Sequence, residues 1–291
     1  LLMSKIKKSI TGVLCASTMA CSLSVSAESY QTEFEFVYLD LEETSALDAE
    51  AKVYFSPIET SKGPLAEAGF LSRGSYVQVG YADVTQEVGN KDVDGDLKLF
   101  ELTYHIPKTN FFLGANYFTT ELEFSSIGAP SDSTKDAVTP YIGIYLDDAS
   151  TSAVWFEYLS DSTSSPFGAP DTDIKAYTLH AKKIFDISGN ALSLAGSVTR
   201  SNIDNNAGTE FSRSLFGINA DYYFNDKISL GVGLRNNEFL DATQTGGTVS
   251  VNSRLYLTNM LSLSVIAEKF TADEPNDKDS DMVRVAIFVR L

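Results

Sequence analysis

From residue 28 onward, apolar and polar side chains alternate with a period of two through nearly the whole chain. Successive side chains of a strand point to opposite faces, so this alternation builds ribbons with one apolar and one polar face. In the last segment Val283, Val285, Ile287, Val289 and Leu291 fall on one face, and Met282, Arg284, Ala286, Phe288 and Arg290 on the other. Ile228, Leu230, Val232 and Leu234 alternate with Ser229, Gly231, Gly233 and Arg235. Leu192, Leu194 and Val198 oppose Ser193, Ala195, Ser197 and Thr199; Phe100, Leu102, Tyr104 and Ile106 oppose Glu101, Thr103 and His105. Fourteen such segments can be counted, with twelve to sixteen open: 30–39, 49–56, 75–85, 97–106, 111–122, 138–147, 151–159, 173–184, 191–200, 211–224, 228–238, 248–258, 261–270 and 281–291. Many are close to the roughly 9–11 residues a tilted strand needs to cross a bilayer.

The connections alternate too. Pro107–Asn110, Asp148–Ser150, Asp186–Asn190, Asn225–Lys227 and Asn259–Met260 read as tight turns. The stretches 86–96, 123–137, 160–172, 201–210, 239–247 and 271–280 read as long, polar, acidic loops. Short turns at one end and longer loops at the other mark outer-membrane barrels. One connection departs from the rule: 57–74 should be a short turn but is long. Within it Leu65, Ala68, Gly69, Phe70 and Leu71 suit a short amphipathic helix started by Pro64, a decoration or a cover for the lower mouth.

An open sheet with this many strands exposes edges, and in lipid nothing satisfies free N–H and C=O groups. Closure removes both problems. The expected fold is therefore all-β: a transmembrane antiparallel up-and-down β-barrel of about fourteen strands, one domain over 28–291. Tyr104, Phe111, Tyr117, Tyr158, Tyr177, Tyr222 and Phe224 lie near strand ends, where interfacial aromatic girdles form. The other face carries Gly, Ser, Thr, Asn and charge, where a soluble barrel would place large apolar groups. Ile266, Phe288 and Trp155 are inward exceptions.

The first 27 residues differ in kind. Lys5, Lys7 and Lys8 precede a modestly apolar Ile10–Ala20, and Val25-Ser26-Ala27 forms a small-residue cleavage site before Glu28. This is the layout of a secretory signal peptide, and its apolar run is too short for a spanning helix. Cys21 raises a lipoprotein alternative, against which Thr18 and Met19 sit badly. Both cysteines, Cys15 and Cys21, lie in this leader, so the remainder has neither a disulfide framework nor a thiolate metal site. Without the three leader lysines, 19 basic residues stand against 39 acidic ones, a net charge of −20. Nucleic acid is excluded as a partner, because phosphate binding needs a basic footprint.

Parity assigns the charges to faces. Arg213, Arg235, Arg254 and Arg284 fall on the inward face, as do Glu35, Glu50, Glu101, Glu157 and Glu268. The expectation is a basic and an acidic wall across one water-filled constriction, a field that orients dipolar solutes. Equally open is that these charges only solvate a lumen or pair with neighbours. Enzymatic chemistry finds little support. Only two histidines are present, and His105 and His180 face inward near the short-turn ends of their strands, the wrong end for acting on external substrates. Asp92-Val93-Asp94-Gly95-Asp96 resembles part of a calcium loop but lacks the closing Glu. The group Asp273, Glu274, Asp277, Asp279 and Asp281 reads as a solvated acidic loop. No catalytic residues, no cofactor and no specific metal site are expected, although divalent cations bridging such loops to lipopolysaccharide remain open.

Within 50–85, a strand ending Phe55-x-Pro57 runs into Gly63-Pro64-Leu65-Ala66-Glu67-Ala68, then Phe70-Leu71 and Arg73. This stretch resembles the general porins of marine gamma-proteobacteria. The resemblance implies passive diffusion of small hydrophilic solutes and ions through an outer-membrane barrel of a Gram-negative cell, among outer-membrane lipid and lipopolysaccharide. It leaves a monomer and a homotrimer both open. Such barrels usually end in an aromatic residue read by the barrel-assembly machinery, whereas this sequence ends in Phe288-Val289-Arg290-Leu291. Two alternatives stay beside this reading: a non-conducting structural or adhesive barrel, and a barrel hydrolase.

Overall fold

Each strand pairs antiparallel with its neighbour in sequence, and the last strand returns to the first. The structure, a computed structural model, describes residues 28–41, 44–88, 91–124, 131–163, 172–205, 209–238, 245–272 and 280–291. The strands are β1 Ser29–Leu41, β2 Thr44–Glu59, β3 Tyr76–Val88, β4 Lys91–His105, β5 Phe111–Phe124, β6 Ser131–Tyr145 and β7 Ser152–Thr163. They continue as β8 Thr172–Ile187, β9 Asn190–Asn205, β10 Thr209–Asn225, β11 Ile228–Glu238, β12 Thr245–Thr258, β13 Leu261–Ala272 and β14 Ser280–Arg290. All fourteen expected segments are strands of one closed barrel.

Strict alternation fixes the register, because a one-residue slip would turn every apolar side chain inward. The outer face carries Phe100, Leu102, Leu113, Ile142, Leu179, Val198, Phe216, Leu230, Val232, Leu257 and Val283, all exposed. Val198 and Leu257 are each 60% exposed, which only a lipid solvent makes tolerable at this density. The expected girdle is on the same face: Tyr104, Phe111, Tyr117, Tyr177 and Phe224 are exposed, Tyr158 packs on Tyr177 and Tyr222 on Phe224. No helix among the described residues is long and apolar enough to cross a membrane, which says nothing against strands doing so.

The tight turns are built by local chemistry. Ser188 and Gly189 both have positive φ, 54° and 90°, the backbone of a two-residue turn matched to strand twist. Asn225 Oδ1 accepts from the N–H of Lys227 and of Ile228, and Thr258 Oγ1 does the same for Met260 and Leu261.

At the opposite end the strands run further than expected. β3 reaches Val88 and β4 starts at Lys91, so most of the stretch read as a loop at 86–96 is paired. Strand ends likewise enter 123–137, 160–172, 201–210, 239–247 and 271–280. The cause is physical: alternation stops where lipid stops, whereas backbone pairing continues into water. The calcium-loop fragment is part of this correction. Asp94 and Asp96 lie on β4, where Thr85 Oγ1 donates to Asp94 (3.0 Å) and the Tyr81 hydroxyl donates to Asp96. Asp281 lies on β14 opposite Lys269, while Asp273, Glu274, Asp277 and Asp279 lie outside the described residues, as does the 1–27 leader.

Candidate functional site

The inner face encloses a cavity of about 660 Å³ in the half of the barrel nearer the short turns. Its floor is the long connection. Pro64 precedes a 3-10 turn at Leu65–Glu67, which continues into a one-turn helix, α1, at Ala68–Leu71. This segment crosses the barrel mouth and is fastened to several walls. Leu65 N–H donates to Asp226 O at 3.0 Å, and Arg290 Nη1 donates to Leu65 O at 3.0 Å. Glu67 accepts from Lys182 Nζ (2.6 Å) and from the Tyr223 hydroxyl (2.9 Å). Tyr145 donates to Phe70 O, and Arg73 reaches Asn110 Oδ1, Ser150 Oγ and Asp147 O in two turns. Apolar packing reinforces these bonds: Leu71 sits among Ile184, Ala191 and Tyr223, and Phe70 packs against the cluster of Phe112, Tyr145 and Ala153.

The expected site residues separate into groups. Glu35 and Arg284 are not across a lumen from each other; they pair at 2.9 Å on adjacent strands, where β1 meets β14. Arg254 lines the same cavity, with its guanidinium over the Phe288 ring (3.6 Å to the centroid) and Nε donating to Ser262 Oγ. Glu101 also lines it and accepts from the hydroxyls of Tyr76 (2.5 Å) and Tyr141 (3.1 Å). Glu157 pairs with His180 at 2.7 Å, and His180 stacks flat on Trp155. Arg235 and Glu268 instead line a smaller cavity of about 150 Å³, which shares Trp155 with the larger one. Glu50 accepts from Gln78, and Arg213 donates to Ser201 further toward the long-loop end. The arginines thus occupy β10 to β14 and most of the carboxylates β1 to β7, two arcs that meet at the β1–β14 seam.

Glu33, Lys52 and Lys182 line the cavity but escaped the sequence reading, while Arg290, which shares its face with Arg284, is absent from the expected lumen charges. Glu33 and Arg290 form a 2.5 Å pair in the seam, with Arg290 Cζ 4.3 Å from the centroid of the Tyr30 ring. Parity places Glu33 on the inward face as well, since it shares a face with Glu35. Lys52 and Lys182 face inward as well, and Lys182 carries the parity of His180. His105 lines the cavity with Nε2 3.3 Å from the Tyr145 hydroxyl, and its backbone N–H donates to Ser75 Oγ at 2.8 Å. The two inward glycines of β11 give their space to neighbouring side chains. A Cβ on Gly231 would meet Asp221 and Asn252, and one on Gly233 would meet Asn219 and Ser250.

A closed fourteen-strand barrel, apolar outside and charged inside, defines an outer-membrane β-barrel of the channel class. Residues 3–284 match the family described as "Putative general bacterial porin", and the chain belongs to that family. No curated protein matches the sequence significantly. Among solved structures the chain is similar to the Acinetobacter baumannii outer membrane protein Omp33, with a TM-score of 0.60 and 18% identity over 91% of this chain and 100% of that one. It is also similar to the CymD monoaromatic hydrocarbon channel, with a TM-score of 0.55 and 8% identity over 91% and 89% of the two chains. The Ralstonia pickettii toluene transporter TbuX gives 0.51 and 9% over 91% and 90%. At these identities the likeness is one of fold. The chain is a Gram-negative outer-membrane protein with a porin or channel role.

Proposed function

We propose that this porin passes small hydrophilic solutes and ions by passive diffusion, and that it acts without catalysis. The observation that carries this reading is the charged cavity of about 660 Å³ inside a closed barrel, a volume in the range of small-molecule sites. The short-turn end then faces the periplasm, and 1–27 is the leader removed near Ala27. Conductance across a planar bilayer under a salt gradient tests the proposal. Discrete channel steps with a measurable reversal potential are expected, and a silent membrane carrying heat-modifiable barrel would overturn it. The two arcs of charge support a transverse field at the constriction. Arg254→Ala and Arg284→Ala then shift ion selectivity toward cations; unchanged reversal potentials in both would remove the field from the account.

A second reading has its own observation. The segment fastened across the mouth narrows the lumen at one end, so the barrel is closed at rest and opens when that segment moves. Few, brief openings of the native protein distinguish this from a permanently open pore.

A further inference from the structure

Most ions in the main cavity are already paired. Glu33 holds Arg290, Glu35 holds Arg284, Glu67 holds Lys182 and Glu157 holds His180. Glu101 is capped by two tyrosine hydroxyls. Two cations are left without an ion pair among the described residues: Arg254 and Lys52. Arg254 spends Nε on Ser262, its Nη2 is buried with no acceptor, and its plane is held between Phe288 and Tyr256. Lys52 Nζ rests 4.4 Å above the Tyr76 ring, with a π face as its partner.

The opposite wall has another character. In a fourteen-strand barrel β5 to β7 stand across from β12 to β14. There Phe112, Tyr141, Tyr145 and Trp155 form a continuous aromatic surface, with ring centroids 5.5 Å (Phe112–Tyr145) to 6.5 Å (Phe112–Tyr141) apart. Phe70 of α1 extends it from below, 5.2 Å from Tyr145. The cavity therefore has Arg254 on β12, with one unpartnered donor and with Glu33 and Glu35 in the same lining, Lys52 on β2 beside Tyr76, and, across from Arg254, a wall of mutually tilted aromatic rings.

We propose that this cavity is a binding subsite for small aromatic carboxylates, with the carboxylate on Arg254 and Lys52 and the ring on the Phe112–Tyr145–Trp155 wall. A carboxylate supplies the planar acceptor that the guanidinium lacks, and an aromatic ring offers an edge or face to the wall. The proposal deepens the porin reading by naming a solute class, and it rests on that reading for its physiological role.

Trp155 is the only tryptophan of the chain and lines the cavity, so its fluorescence reports occupancy without any need for conductance. Folded protein in detergent is titrated with phenylacetate, neutral 2-phenylethanol, cationic phenethylamine and ring-free acetate. Phenylacetate is expected to give a saturable change at concentrations at least tenfold below those needed for the other three. Arg254→Gln is expected to raise its half-saturation at least tenfold, and Arg254→Lys less. An equal response to 2-phenylethanol, an equal response to acetate, or an Arg254→Gln curve overlaying the native one would overturn the subsite. If Arg254→Gln gives no heat-modifiable barrel, Lys52→Gln and the native ligand series decide. A bilayer recording run in parallel separates the two ideas. Binding without conductance keeps the subsite and removes the channel, whereas conductance without phenylacetate binding does the reverse.

Discussion

Inside this barrel single residues are shaped by how closely inward side chains crowd each other. Gly143 lacks a side chain because Phe112 and Trp155 fill its place; an added Cβ would lie 2.6 Å from Trp155 Cβ. Gly114 gives its space to Tyr141 in the same way. Such glycines covered by an aromatic neighbour are a sheet device for curvature and register. Gly143→Ala should therefore cost about 1–3 kcal/mol from overpacking, seen as a lower temperature of the heat-modifiable gel transition. Asp147 works differently, at the β6–β7 turn. Burial pushes its carboxyl up, but hydrogen bonds from Ser152, Thr151 and Lys183 outweigh it and hold it well below the usual carboxylate range. A depressed native value means that its contribution is complete above the ordinary Asp range and fades only as pH falls through the lower native value. Asp147→Asn should then speed amide exchange at Thr151 near neutral pH, with the difference from native protein shrinking in strong acid. A difference that vanished already near pH 5 would contradict this. Parity in the sequence located Arg254, Glu101 and the other inward charges. It could not show which carboxylate each cation meets, because pairing depends on cross-strand register and side-chain reach.

Among the elements, the connection between β2 and β3 carries the most unusual sequence. Pro64, Leu65 and the Ala68–Leu71 turn were legible as a short helix, because Pro suits a first helical turn and the apolar spacing is helical. Its fastening was not legible, since the partners Lys182, Tyr223, Asp226 and Arg290 lie more than one hundred residues away. Of these anchors the Glu67 carboxylate is the central one, only 6% exposed and held by a cation and a hydroxyl. Glu67→Gln keeps the shape and removes the charge that Lys182 needs. Loosening a buried pair in this way costs about 3–5 kcal/mol in the limit of full burial, and less here because Lys182 is partly solvated. Longer or more frequent channel openings are expected in single-channel recordings, with the barrel transition on gels nearly unchanged. Identical open probabilities in native and variant protein would show that the segment does not gate through this contact.

For the molecule as a whole, closure is the decisive event, and the β1–β14 seam is where it is made. Nine register pairs from Glu33↔Arg290 to Leu41↔Met282 join the chain ends. The seam is reinforced by Arg284–Glu35 and by Arg290, 3% exposed, which binds Glu33 and the Leu65 carbonyl and stacks on Tyr30. Arg290→Leu leaves the Glu33 carboxylate buried without its cation, a loss of about 3–5 kcal/mol. Thermal scans should show the loss, and Arg290→Leu with Glu33→Leu should recover much of it. A double variant no more stable than the single one would mean that Arg290 acts through the segment below and not through the pair.

Alternation by itself determined the closed barrel of about fourteen strands, its lipid-facing side and which charges lie inward, because a bilayer demands an apolar outer row and backbone pairing demands closure; the structure settled the count at fourteen. Local chemistry in the sequence also determined the tight turns and the short helix. Only the tertiary structure decided how far strands continue beyond the lipid, where alternation is no longer required. It alone decided that Arg284 meets Glu35 side by side, that the glycines of β11 give up their space to neighbours, and that 57–74 is fastened across the mouth. Each of these depends on contacts between residues remote in sequence, and such contacts leave no period in the chain.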